Sequence, residues 1–230
     1  MGGGDVVLRH WTRADLVLRA ATKADLDTMV EIVQAAFPDD PGCNYKFPYR
    51  AEHPHDFRKW TRVEYEEYLE QPKKFAVLLV TAPVASGDII VQRPVAIGVW
   101  DIAVNVESKG GDRGITERRD ANAQHMRVYA AAISRGFKNY LARYGSEQLH
   151  LWMLMTHPDF RRRGAGTMLC NWGQDEAVKR GGWSLTVMAS PLGRLLYEHL
   201  GYQFIGTETA QTDGEKEKVV IDSMSKLLDD

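Results

Sequence analysis

Residues 149–166 of the chain read LHLWMLMTHPDFRRRGAG. Apolar residues dominate positions 149–155, which is typical of a buried strand, and His157-Pro158 interrupts the pattern. Apolar residues then recur at helical spacing from position 165 to 172. The stretch therefore predicts a strand, a turn and the start of a helix, with three arginines and two glycines at the junction.

The arginines Arg161, Arg162 and Arg163 lie where that helix begins. A helix N-terminus carries partial positive charge, so each cation there costs a few tenths of a kcal/mol up to about 1 kcal/mol unless an anion is bound. Gly164 and Gly166 have no Cβ, so backbone N–H groups of the loop can approach a phosphate closely. The loop predicts a pyrophosphate site, and the alternative is a basic turn that faces water.

Neither common nucleotide motif fits this loop. GxxxxGK[ST] is absent because no lysine follows either glycine, and GxGxxG fails because Leu169 stands at its third glycine position. The pattern Arg161-x-x-Gly164-x-Gly166 matches instead the [QR]xxGx[GA] coenzyme A signature. With LYEHLGY at 196–202, which is similar to the family segment LYEKLGF, the chain resembles the GNAT superfamily of acetyl-CoA-dependent N-acetyltransferases.

The resemblance covers residues 16–221 and implies an α/β (α+β) fold. We expect one GNAT-like domain with a central mixed, mostly antiparallel sheet, splayed between its fourth and fifth strands, and helices on both faces. Residues 1–15 are then an N-terminal extension, and residues 16–230 form the domain. A loop and helix inserted at about 105–147 depart from the family pattern.

Hydrophobic periodicity and turn residues predict the remaining elements. The expected strands are 16–20, 75–81, 95–104, 149–155 and 185–188, with a terminal hairpin from 202–206 and 219–221. The expected helices begin at the Thr22–Asp25 capping box and at about 57, 126, 165 and 192. Loops are expected at 38–42 and 82–94, and a mobile loop at 105–120.

Composition and charge narrow the possible partners. Lys and Arg number 29 against 31 Asp and Glu, a formal charge of -2, so no global basic field binds nucleic acid or an anionic membrane. The two cysteines provide neither a disulfide framework nor a zinc spacing, so we expect no metal site and a cytoplasmic location. The first fifteen residues lack the apolar run of a secretory signal, and residues 76–104 are too polar for a membrane helix.

The resemblance implies that backbone groups bind most of acetyl-CoA. N–H groups of the glycine loop would hold the pyrophosphate, and the strand edge at 154–156 would pair with the pantetheine arm. An N–H near Met155 would face the oxyanion, and Ser190 stands where many family members have a coenzyme-binding asparagine. The implied coenzyme residues are Leu154, Met155, Thr156, Arg161, Arg162, Arg163, Gly164, Ala165, Gly166, Thr167 and Ser190.

Transfer of an acyl group from a thioester to an amine needs a base and an acid. His150 lies eleven residues before Arg161, where related enzymes carry a glutamate or histidine base, and an ordinary pKa of about 6.5 suits that task. Tyr197 matches the family tyrosine that protonates departing coenzyme A. The alternatives are a core histidine at His150 and a packing aromatic at Tyr197, while His157 is interpreted as structural.

These expectations combine into an N-acetyltransferase that acts on a primary amine of a small molecule by direct transfer in a ternary complex. Aromatic residues in the segments that flank the acceptor in related enzymes suggest an aromatic or apolar amine; they are Tyr45, Phe47, Tyr49, Trp60 and Trp100. The alternatives are a protein or peptide N-acetyltransferase and a non-catalytic acyl-CoA-binding module. We expect a monomer or a homodimer.

Overall fold

A computed structural model describes residues 12–105 and 114–228 of the chain. Within these ranges the strands are Val17–Ala20 (β1), Phe75–Ser86 (β2), Ile89–Asp101 (β3), Gln148–Thr156 (β4), Ser184–Ala189 (β5), Gln203–Gln211 (β6) and Lys218–Lys226 (β7). They form one sheet in the order β1-β2-β3-β4-β5-β7-β6. β4 and β5 are parallel, and the other neighbouring pairs are antiparallel. This confirms the predicted mixed, mostly antiparallel sheet.

Helices cover both faces of this sheet, as predicted for the α/β class. The α-helices are Leu26–Ala36 (α1), Pro41–Lys46 (α2), Pro54–Leu69 (α3), Ala123–Gly136 (α4), Ala165–Lys179 (α5) and Pro191–His199 (α6). One apolar cluster packs α5 and α6 against the sheet. On the opposite face, α1 and α3 cover β2 and β3, and α4 covers β6 and β7. No helix in the described ranges has the length and apolarity needed to cross a bilayer.

Several local signals read from the sequence are confirmed. Thr22 and Asp25 form the capping box, and a 3₁₀ turn at Lys23–Asp25 leads directly into α1. The helix predicted to end near Gly145 consists of α4, a π-helical turn at Phe137–Leu141 and a 3₁₀ turn at Ala142–Tyr144. At the end of α5, Gly181 has φ of 87°, which suits a glycine at a helix C-terminus.

Two predicted loops are ordered elements instead. Residues 82–94 extend β2 and β3 into a long hairpin whose strands pair as far as Ser86↔Ile89. The largely polar character of the stretch suggested a loop. Pro94 is accommodated because it lies beside a register shift, where the ladder tolerates a residue without an N–H. The loop predicted at 38–42 contains the start of α2, which begins because the Asp40 side chain accepts a hydrogen bond from the Cys43 N–H at 2.7 Å.

The predicted mobile loop at 105–120 lies partly outside the described residues, which exclude 106–113. Its described part is packed. A Cβ on Gly114 would overlap the Trp60 ring, so the chain passes close to α3 there. Arg118 and Asp120 form a buried bidentate ion pair, and the Arg118 guanidinium lies over the Phe47 ring. Local sequence patterns could not indicate the contacts of these residues with distant segments.

Candidate active site

A gap opens between β4 and β5. The two strands pair only from Gln148↔Ser184 to Leu151↔Val187, although β4 continues to Thr156 and β5 continues to Ala189. Beyond the last pair, the backbone groups on the β5 side of β4 are not paired with β5. This is the splay predicted from the family resemblance.

A bulge in β4 determines which backbone groups face the gap. Trp100 pairs with Leu151 and Val99 pairs with Met153, so Trp152 is an extra residue in β4. Farther along β4, the His157 N–H donates to the Val95 carbonyl of β3 at 2.9 Å. Backbone groups of alternate residues point to the same side of a strand, so the N–H and C=O groups of Met155 also point towards β3.

The backbone groups of Leu154 and Thr156 therefore point into the gap. The N–H of Met155 itself belongs to the pairing of Met155 with Ile97, so the predicted N–H near Met155 would be that of Leu154 or Thr156. The bulge at Trp152 shifts the alternation of the strand, and nothing in the sequence indicates its position.

The glycine turn lies at the end of β4 and begins α5. Arg162 has φ of 62° and Gly164 has φ of 95°, so two left-handed residues turn the chain into the helix. The Met168 N–H donates to the Gly164 carbonyl at 2.9 Å as the helix begins. The N–H groups of residues 164–167 precede that bond and have no partner within the helix. They form the kind of site that binds an anion.

The arginines of the turn have different roles. The Arg161 guanidinium forms an ion pair with Asp39, and its Nε donates to the Thr156 carbonyl at 3.2 Å. Arg161 therefore anchors the turn to β4 and to the 3₁₀ turn at Phe37–Asp39 that follows α1, while Arg162 is exposed. The sequence analysis missed Arg13, whose side chain would lie 3.2 Å from a Cβ on Gly164. No sequence signal relates Arg13 to a turn so distant along the chain.

Helix α6 borders the same gap. A Cβ on Gly166 would lie 3.1 Å from Leu196 and 3.6 Å from Leu154, so α6, β4 and the glycine turn meet there. Ser190 caps α6, because its hydroxyl accepts a hydrogen bond from the Gly193 N–H at 3.3 Å. The hydroxyl proton of Ser190 is still available to a ligand.

His150 lies in the paired part of β4, next to the opening of the gap. It is 3% exposed, and its Nδ1 lies 3.0 Å from the Thr186 hydroxyl of β5. The rings of Phe137 and Trp152 contact it edge to face, with centroids at 5.6 and 5.7 Å. Burial lowers the pKa of His150 to about 4, because the charged imidazolium loses its hydration. The expected ordinary pKa is therefore corrected, and His150 is neutral at pH 7.

Tyr197 lies on the other face of the sheet, within the cluster that packs α5 and α6. Burial raises its pKa well above the usual value, and the nearby Cys170 raises it further. Its phenol is thus protonated at neutral pH and can donate. The structure places His150 and Tyr197 on opposite faces of the sheet.

The aromatic residues expected around the acceptor are mostly used in packing. Trp100 faces α5, where its indole N–H donates to the Leu169 carbonyl at 3.2 Å and its ring covers Gly173. Tyr45 stacks on His125 with centroids 4.0 Å apart. The aromatic residues nearest His150 are Phe137 and Trp152, both half-buried, and the sequence analysis assigned neither to the site.

Polar contacts close the space between α2, α4 and the β6–β7 connection. The Tyr45 hydroxyl lies 3.1 Å from the Thr212 hydroxyl. His125 of α4 contacts the Tyr45 carbonyl through Nδ1 at 2.8 Å and the Glu215 carboxylate through Nε2 at 2.7 Å. Tyr45 belongs to the cluster that packs α4 against β6 and β7. Across residues 12–105 and 114–228, no cluster of three or more His, Cys, Asp and Glu side chains could hold a metal ion.

Comparison with known proteins relates this arrangement to a family. Residues 113–216 match the acetyltransferase (GNAT) domain family. An acetyltransferase from Stachybotrys chartarum is 24% identical over 209 residues, covering 86% of this chain and 85% of the relative.

Two solved structures share the fold. The Drosophila melanogaster polyamine N-acetyltransferase, which forms N-acetylagmatine, has a TM-score of 0.60 at 14% identity, covering 93% of this chain and 100% of that chain. The Escherichia coli ribosomal-protein-S18-alanine N-acetyltransferase has a TM-score of 0.53 at 12% identity, covering 92% and 93%.

The lowered pKa of His150 predicts an acid-sensitive contribution to stability. Between the ordinary pKa of about 6.5 and the folded value of about 4, the unfolded chain binds a proton that the folded chain does not. The free energy of unfolding therefore decreases as the pH is lowered through this window. Between pH 7 and pH 4, we expect the unfolding free energy of His150→Gln to decrease by about 3 kcal/mol less than that of the wild type. Urea unfolding at several pH values measures it.

The matched control is His55→Gln at an exposed position, which should keep the pH dependence of the wild type. Parallel stability curves for the wild type and His150→Gln would contradict the assignment.

Proposed function

We propose that this chain, whose residues 113–216 match the acetyltransferase (GNAT) domain family, acetylates a primary amine of a small molecule by direct transfer from acetyl-CoA in a ternary complex. The observation that carries the proposal is the joint position of two sets of open backbone groups. The N–H groups of residues 164–167 begin α5, and the unpaired edge of β4 lies directly before them in the chain.

These residues fit the chemistry of coenzyme A. The N–H groups at the start of α5 suit a diphosphate, because they combine hydrogen-bond donors with the positive end of the helix dipole. Leu154 and Thr156 offer backbone groups to the amides of a pantetheine arm, as a neighbouring strand would. Arg162 and Arg13 add positive charge beside the turn. Acetyl-CoA supplies the acetyl group as a thioester.

His150 and Tyr197 supply the two proton transfers. Neutral His150 accepts the proton that the acceptor nitrogen loses as its bond to the carbonyl carbon forms. Tyr197 donates its hydroxyl proton to sulfur as the carbon–sulfur bond breaks. An N–H of Leu154 or Thr156 would stabilise the negative charge on the carbonyl oxygen. Because the base and the acid lie on opposite faces of the sheet, the gap between β4 and β5 is where they can meet the reacting atoms.

The bonded β6–β7 connection favours a small molecule over a protein acceptor. A polypeptide needs an open groove, whereas here the β6–β7 connection is tied to α2 through Tyr45 and Thr212 and to α4 through His125 and Glu215. The half-buried rings of Phe137 and Trp152 beside His150 would contact the body of the acceptor, which favours an amine with an aromatic or apolar group.

Gly164→Ala tests the diphosphate site. A side chain is strained at φ of 95°, so the turn would rearrange and its N–H groups would no longer converge. We expect at least about a tenfold loss of affinity for coenzyme A, which is about 1.4 kcal/mol, by isothermal titration calorimetry.

The control is Gly181→Ala, which introduces similar backbone strain at φ of 87° at the other end of α5, where a Cβ meets no atom. It should bind coenzyme A like the wild type. Equal affinity of Gly164→Ala and the wild type would refute the site.

Tyr197→Phe tests catalysis separately from binding. Removal of the hydroxyl should slow thiol release from acetyl-CoA by about a hundredfold or more and leave coenzyme affinity unchanged. The assay uses a panel of arylalkylamines, polyamines and peptides, because the proposal predicts turnover with free amines.

The control is Tyr202→Phe, which removes the hydroxyl of a tyrosine packed against Tyr197 at 5.5 Å between ring centroids. We expect it to retain full activity. Preference for peptides over every free amine would replace the proposed acceptor with a protein, and undiminished turnover in Tyr197→Phe would remove the phenol from the mechanism.

A further inference from the structure

A chain of buried hydrogen bonds ends on His150 and begins at Gln148. The Gln148 side chain is fully buried, and its Nε2 lies 3.2 Å from the Leu141 carbonyl and 2.8 Å from the Gly145 carbonyl. Carbonyl oxygens only accept hydrogen bonds, so the amide nitrogen must face them. The Oε1 atom of Gln148 therefore faces the other way, where it lies 2.8 Å from the Thr186 hydroxyl.

The single proton of the Thr186 hydroxyl is committed by this contact. An amide oxygen cannot donate, so Thr186 donates to Gln148, and its oxygen is left to accept. The Leu149 carbonyl lies 3.5 Å from the same hydroxyl, and a bond to it would leave the hydroxyl oxygen in the same accepting role. The partner that remains is Nδ1 of His150 at 3.0 Å.

Nδ1 of His150 must therefore carry the ring proton. In the neutral ring only one nitrogen is protonated, so Nε2 holds a lone pair. Among the described residues none forms a hydrogen bond with Nε2, while the rings of Phe137 and Trp152 restrict the imidazole. A basic nitrogen is thus presented in a defined orientation.

We propose that Gln148 and Thr186 are positioning residues that hold His150 in the tautomer whose Nε2 can take the amine proton. The inference rests on the proposed role of His150 as the base. As the acceptor nitrogen bonds to carbon, its proton moves to Nε2, and the resulting imidazolium keeps its Nδ1–H bond to Thr186. The proton then passes to solvent, and the ring returns to its original tautomer.

The same chain of bonds connects the base to the segment between β3 and β4. Leu141 and Gly145 lie at the end of the helical run that follows α4, and Phe137 lies at its π-helical turn. The inserted segment therefore contributes both an edge contact to His150 and the carbonyl groups that orient Gln148.

Nuclear magnetic resonance of the ligand-free protein, labelled with ¹⁵N in its histidines, tests the tautomer without any turnover. Long-range ¹H–¹⁵N spectra at pH 7 should show His150 protonated at Nδ1. Thr186→Val removes the accepting oxygen, and Gln148→Met frees the Thr186 proton to point at Nδ1, so both should shift His150 towards the Nε2-protonated form. A wild-type ring protonated at Nε2, or variant spectra identical to the wild type, would overturn the inference.

Kinetics provide the second measurement. Thr186→Val should lower kcat about tenfold or more with the KM for acetyl-CoA unchanged, and Thr186→Ser, which keeps the hydroxyl, should restore it. The control is Thr61→Val, which removes another buried hydroxyl, one that donates to the Phe57 carbonyl within α3, and should leave kcat unchanged. Equal losses in Thr186→Ser and Thr186→Val would contradict the role of the hydroxyl. If no amine is turned over while the predicted tautomer is observed, the proposed function fails and the positioning network stands.

Discussion

The end of pairing between β4 and β5 after Leu151 and Val187 is the constraint on which the site depends. A buried backbone donor or acceptor without a partner costs about 1–3 kcal/mol, so an unpaired strand edge is a strong site for a ligand that carries amides. His150 and Tyr197 lie on opposite faces of the sheet, on either side of this separation. In the proposed function, this one break in the ladder provides both the binding edge and the place for chemistry.

The second contribution is electrostatic, and it comes more from the backbone than from the arginines that first indicated it. Arg161 is paired with Asp39 and bonded to the Thr156 carbonyl, so its charge serves to fix the turn. The N–H groups at the start of α5 supply donors in fixed positions. Arg162 and Arg13 add exposed positive charge beside the turn, and water screens that charge.

Local sequence signals predicted the elements that form locally. The Thr22–Asp25 box, the long helix before β4 and the glycine turn at α5 were all visible as short patterns. The features missed in the sequence depend on pairing between distant segments. They include the bulge at Trp152, the extended β2–β3 hairpin and the contact of Arg13 with Gly164. Likewise, position in the sequence made His150 the candidate base, while the burial that lowers its pKa could be seen only in the folded chain.

The most direct test of the binding site is backbone hydrogen exchange at residue resolution, with and without saturating coenzyme A. If the diphosphate and the pantetheine arm bind as proposed, the amides of Leu154, Thr156 and residues 164–167 gain protection, and those in the first turn of α3 do not. Coenzyme A that binds without slowing exchange at either β4 or the start of α5 would contradict the site.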